Sequence, residues 1–225
     1  MSVPVLALKD VWRSYTGSEA VLKGVTLSVT EGEFVGVFGR SGSGKSTLLR
    51  LMGLLDKPTK GSVKVLGADA SALSDAAAAR MRREKLGFVF QGFNLIPHIT
   101  ALENIEVPMW LAGVPKGERR ARALADLKHF GLERLAGRYP GEMSHGEQQR
   151  VAAIRAMANR PGLILADEPT SALDDESAKV FLDLVARFNR ELRTTVIMVT
   201  TSEEEAEAGT TAYRLSSGTL SRVRP

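Results

Sequence analysis

A run of glycines between an apolar segment and a helix-forming one constrains this chain more than any other feature. Phe34-Val35-Gly36-Val37-Phe38 reads as a buried strand. It runs into Gly39-Arg40-Ser41-Gly42-Ser43-Gly44-Lys45-Ser46, with a helix expected from about Lys45 that takes Thr47 into its first turn. Glycines let successive backbone N–H groups converge without β-carbon clashes, and the helix N-terminus adds partial positive charge at the same spot. An anion belongs there, and phosphate above all. In such a loop Lys45 reaches the β and γ phosphates of a nucleotide, and the Ser46 hydroxyl is one ligand of an octahedral Mg²⁺ bridging them. A serine- and glycine-rich turn that only caps a helix has no need of strand, loop, lysine and serine in register.

Size and composition allow a full active site. The chain has 225 residues and is 44% hydrophobic, enough for one α/β domain or two small ones. It has no cysteine, which excludes disulfides, zinc–thiolate sites and thiol catalysis and fits a reducing cytosol. The net charge of +4 is spread along the chain, so no nucleic-acid partner is expected. The clusters Arg80-Met81-Arg82-Arg83 and Arg119-Arg120-Ala121-Arg122 read as solvated helix faces. Met1 to Asp10 lacks a basic segment followed by an apolar core, and no stretch approaches the ~20 apolar residues of a membrane span. Any membrane link is therefore expected through a partner.

Along the chain, Val5 to Trp12 and Leu22 to Val29 read as strands, Ala68 to Arg83 as a helix and Leu86 to Phe90 as a strand. Ala101 to Leu111 and Glu118 to Phe130 read as helices, then His145 to Ala158 as a helix and Leu163 to Ala166 as a strand. The helix Glu176 to Leu192 and the strand Thr195 to Val199 complete a second α/β unit. Ala178, Phe181, Leu182, Val185 and Phe188 recur at helical spacing and read as core. The expectation is a single domain over residues 1–225: a nucleotide-binding core from about 1–90 and 160–225, interrupted by a helical subdomain over 91–159.

The apolar strand Leu163-Ile164-Leu165-Ala166 delivers Asp167 and Glu168 at its C-terminal end, where α/β sheets bind ligands. Asp167 can hold Mg²⁺ directly or through water, and Glu168 can orient and deprotonate an attacking water. An isolated Asp-Glu pair is an ordinary strand end. Downstream of a phosphate loop it becomes chemistry.

Together these residues resemble the ATP-binding-cassette (ABC) family from about Val5 to Leu220. The resemblance implies an α/β P-loop NTPase of ABC type, with a mixed sheet core, an N-terminal antiparallel β region and a helical subdomain. It implies that Tyr15 stacks on adenine and that Gln91 touches Mg²⁺ and senses a membrane partner. Met143-Ser144-His145-Gly146-Glu147-Gln148-Gln149-Arg150 is similar to the family signature, which reaches the γ-phosphate of ATP held by a second subunit. Ser144, His145, Gly146 and Glu147 are then nucleotide-binding, and Ser171-Ala172-Leu173-Asp174 resembles the loop coupling the two sites. Ser144 and Glu147 also form a capping box ahead of Val151-Ala152-Ala153-Ile154, so a capped helix end and a phosphate site share one mechanism.

Phe88-Val89-Phe90-Gln91-Gly92-Phe93-Asn94-Leu95-Ile96-Pro97 and Thr100 to Ile105 resemble the subgroup serving lipoprotein-release, macrolide-export and cell-division complexes. The implied partners are a second copy of the chain, or a paralogous ATPase, and an integral membrane permease seated near Gln91. Phe93, Leu95, Ile96 and Ile99 are expected to receive its coupling helix, placing the chain on the inner face of the membrane.

Two residues depart from the family pattern. His145 stands where the first signature glycine is usual, and Thr201 stands where a histidine usually contacts the γ-phosphate. Thr201 is thus the catalytic candidate at that position, with one hydroxyl and no cation to offer. In a pair, His145 of one copy and Thr201 of the other are expected to face the same γ-phosphate. The leading expectation is an ATP-hydrolysing subunit that does conformational work on a membrane partner; the alternative is a regulatory subunit that binds nucleotide but is impaired in hydrolysis.

Overall fold

The computed structural model describes residues 3–15 and 19–224. Strand β1 (Leu6–Ser14) pairs antiparallel with β2 (Ala20–Val29), and after β3 (Phe34–Phe38) and helix α1 (Lys45–Met52) comes β4 (Lys60–Val65), antiparallel to β1. The short β5 (Ala68–Asp69), helix α2 (Asp75–Lys85) and strand β6 (Leu86–Val89) follow. The helices α3 (Ala101–Leu111), α4 (Lys116–His129) and α5 (His145–Met157) lead to strand β7 (Leu163–Asp167). The chain ends with α6 (Asp175–Leu192), β8 (Thr195–Thr200), the short α7 (Glu203–Ala206), β9 (Thr211–Ser216) and β10 (Thr219–Arg224).

The strands form two sheets, ordered β2-β1-β4-β5 and β10-β9-β3-β8-β7-β6. The second is parallel from β9 to β6, with β10 antiparallel at its edge, which makes the expected mixed α/β core. Its central strands are apolar on both faces because both are covered. Phe34, Ile164, Ala166, Val196 and Met198 pack with α3, α5 and α6. Val35, Val37, Leu163, Leu165, Ile197 and Val199 pack with α1, β1, β2 and β4. On α6 the apolar stripe buries Phe181, Val185 and Phe188, as its spacing predicts, together with Leu184.

The expected helix from Ala68 to Arg83 is corrected: Ala68 and Asp69 form a strand, and the helix begins only at Asp75. Asp69 Oδ1 accepts from the Ser71 amide at 2.9 Å and hydroxyl at 2.7 Å, and Ser74 caps α2 by accepting from Ala77 N. These short polar side chains compete for the backbone and delay the helix. Strands β4, β9 and β10 were not expected; β4 carries only two buried residues, Val63 and Val65, too weak a period to read alone.

One close approach positions the site. A β-carbon on Gly36 would lie 2.1 Å from Ala206 O, so glycine lets α7 sit directly on β3. This brings the turn after β8 beside the phosphate loop. In the basic clusters, Arg80 and Arg83 pair with Glu84, Arg119 and Arg120 with Glu106, and Arg122 with Glu118. Among the described residues no helix is long and apolar enough to cross a membrane.

Candidate nucleotide site

Where β3 ends, Gly39 N donates to Thr200 O at 3.2 Å, tying the loop to the end of β8. Gly42 and Gly44 take left-handed backbone, φ 78° and 105°, which lets the loop turn its N–H groups inward. Gly44 is the N-cap of α1 and supplies no side-chain cap, so the first-turn N–H groups await an external acceptor. Ser43 Oγ is buried with no hydrogen-bond partner among the described residues. Lys45, 4% exposed, donates from Nζ to Gly39 O at 2.8 Å and Arg40 O at 3.2 Å, and pairs with Glu168 Oε1 at 3.2 Å. Ser41, Gly42, Gly44, Lys45, Ser46 and Thr47 line a cavity of about 240 Å³ with Val21 and Glu168. A buried cation and an uncapped helix around one cavity suit a phosphate chain.

The carboxylates arrive on β7, separated from β3 by β8, with Asp167 in register with Val199 and Phe38 with Thr200. Glu168 N donates to Val199 O at 2.8 Å, while Glu168 itself sits at φ 43°, a conformation that costs a non-glycine residue about 1–3 kcal/mol. Ser171 Oγ donates to Glu168 O at 2.9 Å and helps hold that geometry. Burial pushes the Asp167 carboxyl above its ordinary 3.8, the neighbouring Glu168 charge adds to this, and a hydrogen bond from Ser46 with the charges of Lys45 and Arg50 opposes it. The Ser46 hydroxyl and the Asp167 carboxylate are two hard oxygen donors already in contact, a pair that fits Mg²⁺ with phosphates and water as remaining ligands.

The raised value gives a signed expectation. Folding binds this proton more tightly, so the stabilisation is full below 3.8 and is lost as pH rises through the higher folded value. Once ionised, Asp167 is a liability to the nucleotide-free fold. Asp167→Asn is expected to raise the melting temperature of the nucleotide-free protein at pH 7 and to remove the extra stabilisation that Mg²⁺ adds to ATP. Thermal unfolding at pH 4 to 8, with and without Mg²⁺ and ATP, checks both.

Thr201 is exposed and lines a second cavity of about 710 Å³ with Gly39, Arg40, Ser41, Gly42 and Ser43, on the side of Arg214. Its turn is braced by Thr200, whose hydroxyl donates to Glu205 and accepts from Ser202 N at 3.1 Å. Arg214 pairs with Glu203 at 3.3 Å and lies over the Phe38 ring at 5.1 Å. The remaining predicted residues line neither cavity. Tyr15 donates to Asp56 at 3.2 Å and carries the Arg13 guanidinium over its ring at 4.5 Å. Gln91 is exposed just past the end of β6.

Ser144 and Glu147 form the expected capping box: Glu147 N donates to Ser144 Oγ at 3.2 Å and Ser144 N to Glu147 Oε2 at 3.0 Å. Gly146 abuts α6, since a β-carbon there would lie 2.9 Å from Ser177 Oγ. His145 is exposed, its ring tilted against Phe93 with centroids 5.4 Å apart. Asp174 caps α6, accepting from Ser177 N at 2.8 Å.

Of the residues expected to receive a partner helix, Ile96 is exposed. Leu95 packs on the core, Phe93 turns to His145, and a groove of about 640 Å³ is lined by Leu55, Phe88, Phe90, Pro108 and Leu111 with Asn94 and Arg155. Phe93 and Asn94 both have φ 52°, which redirects the chain after Gln91. Two residues here escape a reading from sequence. Arg155 donates to Phe93 O at 2.8 Å and to Asn94 O, and burial lowers its pKa to about 10. Gln149 is fully buried between two loops. Gln149 lies in the signature stretch and Arg155 further along the same helix, and nothing local marks the distant carbonyls they meet.

A phosphate loop after one parallel strand and a carboxylate pair after another, with a third strand between them, define a P-loop nucleoside-triphosphatase cassette. Residues 22–171 match the family described as ABC transporter, and the chain belongs to that family as an ATPase cassette. It is 45% identical over 222 residues to an uncharacterized ABC transporter ATP-binding protein of Thermotoga maritima, covering 97% of this chain and 94% of that one. The macrolide export ATP-binding/permease protein MacB of Shigella flexneri is 41% identical over 225 residues; the match takes in 99% of this chain and 35% of MacB. This similarity fits the macrolide-export subgroup. A dimeric structure of the ATP-binding cassette MJ0796 of Methanocaldococcus jannaschii, in a post-hydrolysis state bound to ADP and Pi, superposes with TM-score 0.86 at 43% identity, covering 98% of this chain and 99% of that one. These likenesses give no support to a cassette impaired in hydrolysis.

Proposed function

We propose that two copies of this chain close on two Mg-ATP, hydrolyse them and reopen, and that this cycle does mechanical work on a membrane permease at the inner face of the membrane. One observation carries the reading. The phosphate cavity has Lys45 and Glu168 in contact at 3.2 Å, yet the α5 N-terminus with Ser144, His145 and Gly146 lines no part of it. The signature helix end is left for a second copy's nucleotide, and His145 of one copy then faces Thr201 of the other.

Within the site, the loop from Gly39 to Thr47 holds the phosphates, Tyr15 stacks on the base, and Glu168 takes the proton of the attacking water. Ser46, Asp167 and Gln91 would hold Mg²⁺, which supplies charge neutralisation between the phosphates. Asp174 keeps α6 in place beside the partner's site. Residues 91–159 act as a helical subdomain, and the apolar groove beside Gln91, lined by Phe88, Phe90 and Leu111, takes the permease helix.

The test uses the purified chain. Its mass by light scattering is expected to double in Mg-ATP and to return to the monomer as phosphate is released. A protein that stays monomeric at saturating ATP, even with hydrolysis blocked by Glu168→Gln, overturns the pairing.

A further inference from the structure

We propose that Gln149 is a positioning residue: its amide clasps the backbone beside Glu168 to the backbone beside Gln91, so that a shift of α5 moves both. The proposal rests on the nucleotide-dependent pairing above. Gln149 lies on α5, five residues after Ser144, with its side chain wholly buried. Its Nε2 donates to Phe90 O at 3.0 Å and to Pro169 O at 2.6 Å. Phe90 immediately precedes Gln91, and Pro169 immediately follows Glu168.

Both partners are carbonyls, so only an NH₂ group, with two hydrogens, serves both; the orientation of the amide is thereby settled. The other end, Oε1, is buried with no hydrogen-bond partner among the described residues. An apolar side chain of the same length would avoid that orphan. The amide therefore answers a need for geometry, not for packing.

The clasp sits where the sheet gives out. Strands β6 and β7 are in register through Val89 and Ala166, and Gln149 joins the chains just beyond that last pair. Each emerging segment also bends through left-handed non-glycine backbone, Glu168 at φ 43° and Phe93 and Asn94 at 52°. Such conformations persist where their surroundings over-determine them. Arg155, two turns along the same helix, grips Phe93 O and Asn94 O, and the His145 ring lies against Phe93. Helix α5 thus holds both bends, and Gln149 alone of these side chains touches both segments.

Hydrogen–deuterium exchange on the full chain, read for residues 90–95 and 168–174, tests this. Gln149→Met keeps length and burial but donates nothing. It is expected to speed exchange in both segments by roughly tenfold, the effect of one lost hydrogen bond, with the rest of the sheet unchanged. ATP turnover is expected to fall by about tenfold, with ATP affinity changed by less than about threefold. Gln149→Glu places a carboxyl against two carbonyls, where burial raises its pKa and the neutral acid donates one bond. Its exchange and turnover should approach the parent's at low pH and part from them as pH rises. Exchange at the parent level in Gln149→Met, faster exchange spread over the whole chain, or a Gln149→Glu profile parallel to the parent's each overturns the clasp. Should Gln149→Met not fold, the Gln149→Glu profile decides. Absent turnover in the parent counts against the pairing, while exchange still judges Gln149.

Discussion

Replacing Glu168 by glutamine is expected to lower the rate of Mg-ATP hydrolysis by about 10²–10⁴-fold while leaving ATP binding intact. The substitution keeps the side-chain volume and removes the carboxylate that lines the phosphate cavity beside Lys45, 3.2 Å from its Nζ. Asp167, the neighbouring carboxylate, is engaged with Ser46 and cannot serve in its place. The left-handed backbone of residue 168 is held by Val199 O and Ser171, contacts that glutamine retains, so the fold should not suffer. Steady-state phosphate release beside light scattering in ATP reads both effects. A long-lived ATP-dependent dimer with almost no turnover is the expected result; turnover within a few-fold of the parent would remove Glu168 from the proton transfer.

Replacing Lys45 by methionine acts one step earlier. Its ammonium is buried between two loop carbonyls and Glu168, so the charge is held in place before any phosphate arrives. Truncating one member of a buried charged contact costs about 2–5 kcal/mol, which corresponds to roughly two orders of magnitude or more in ATP dissociation constant. The loss should be larger for ATP than for AMP, as the proposed contact of the ammonium with the outer phosphates requires. Titration calorimetry with ATP, ADP and AMP checks this order. Equal weakening of all three would mean that the lysine shapes the loop instead of binding its ligand. Arginine is not a conservative choice here, since a planar guanidinium cannot occupy the space of a compact ammonium among three oxygens.

The two variants separate binding from chemistry, and both are legible in the chain itself. The glycine loop, Lys45, the strand into Asp167-Glu168 and the capping box of Ser144 and Glu147 are each contiguous stretches whose neighbours dictate their geometry. Strand period, glycine backbone and helix capping act over a few residues, so sequence by itself determined them. It determined the parallel core as well, through apolar runs that only a sheet covered on both faces can bury.

What only the tertiary structure decided lies between distant segments. The register of β3 with β8 joins residues about 160 apart, and β9 becomes a strand against the edge of β3 while β10 does so against β9. The break between β5 and α2 turned on Asp69 and Ser74, whose side chains could as well have faced water. Asp174 reads as a loop residue until α6 begins behind it and makes it a cap. Gln149 lies in the signature stretch, yet nothing local announces its partners: an amide on a helix becomes a clasp only when Phe90 and Pro169, 59 and 20 residues away, present their carbonyls to it. Local chemistry is written in neighbouring residues. The meeting of remote backbone groups is set by packing of the whole chain, which no window of sequence contains.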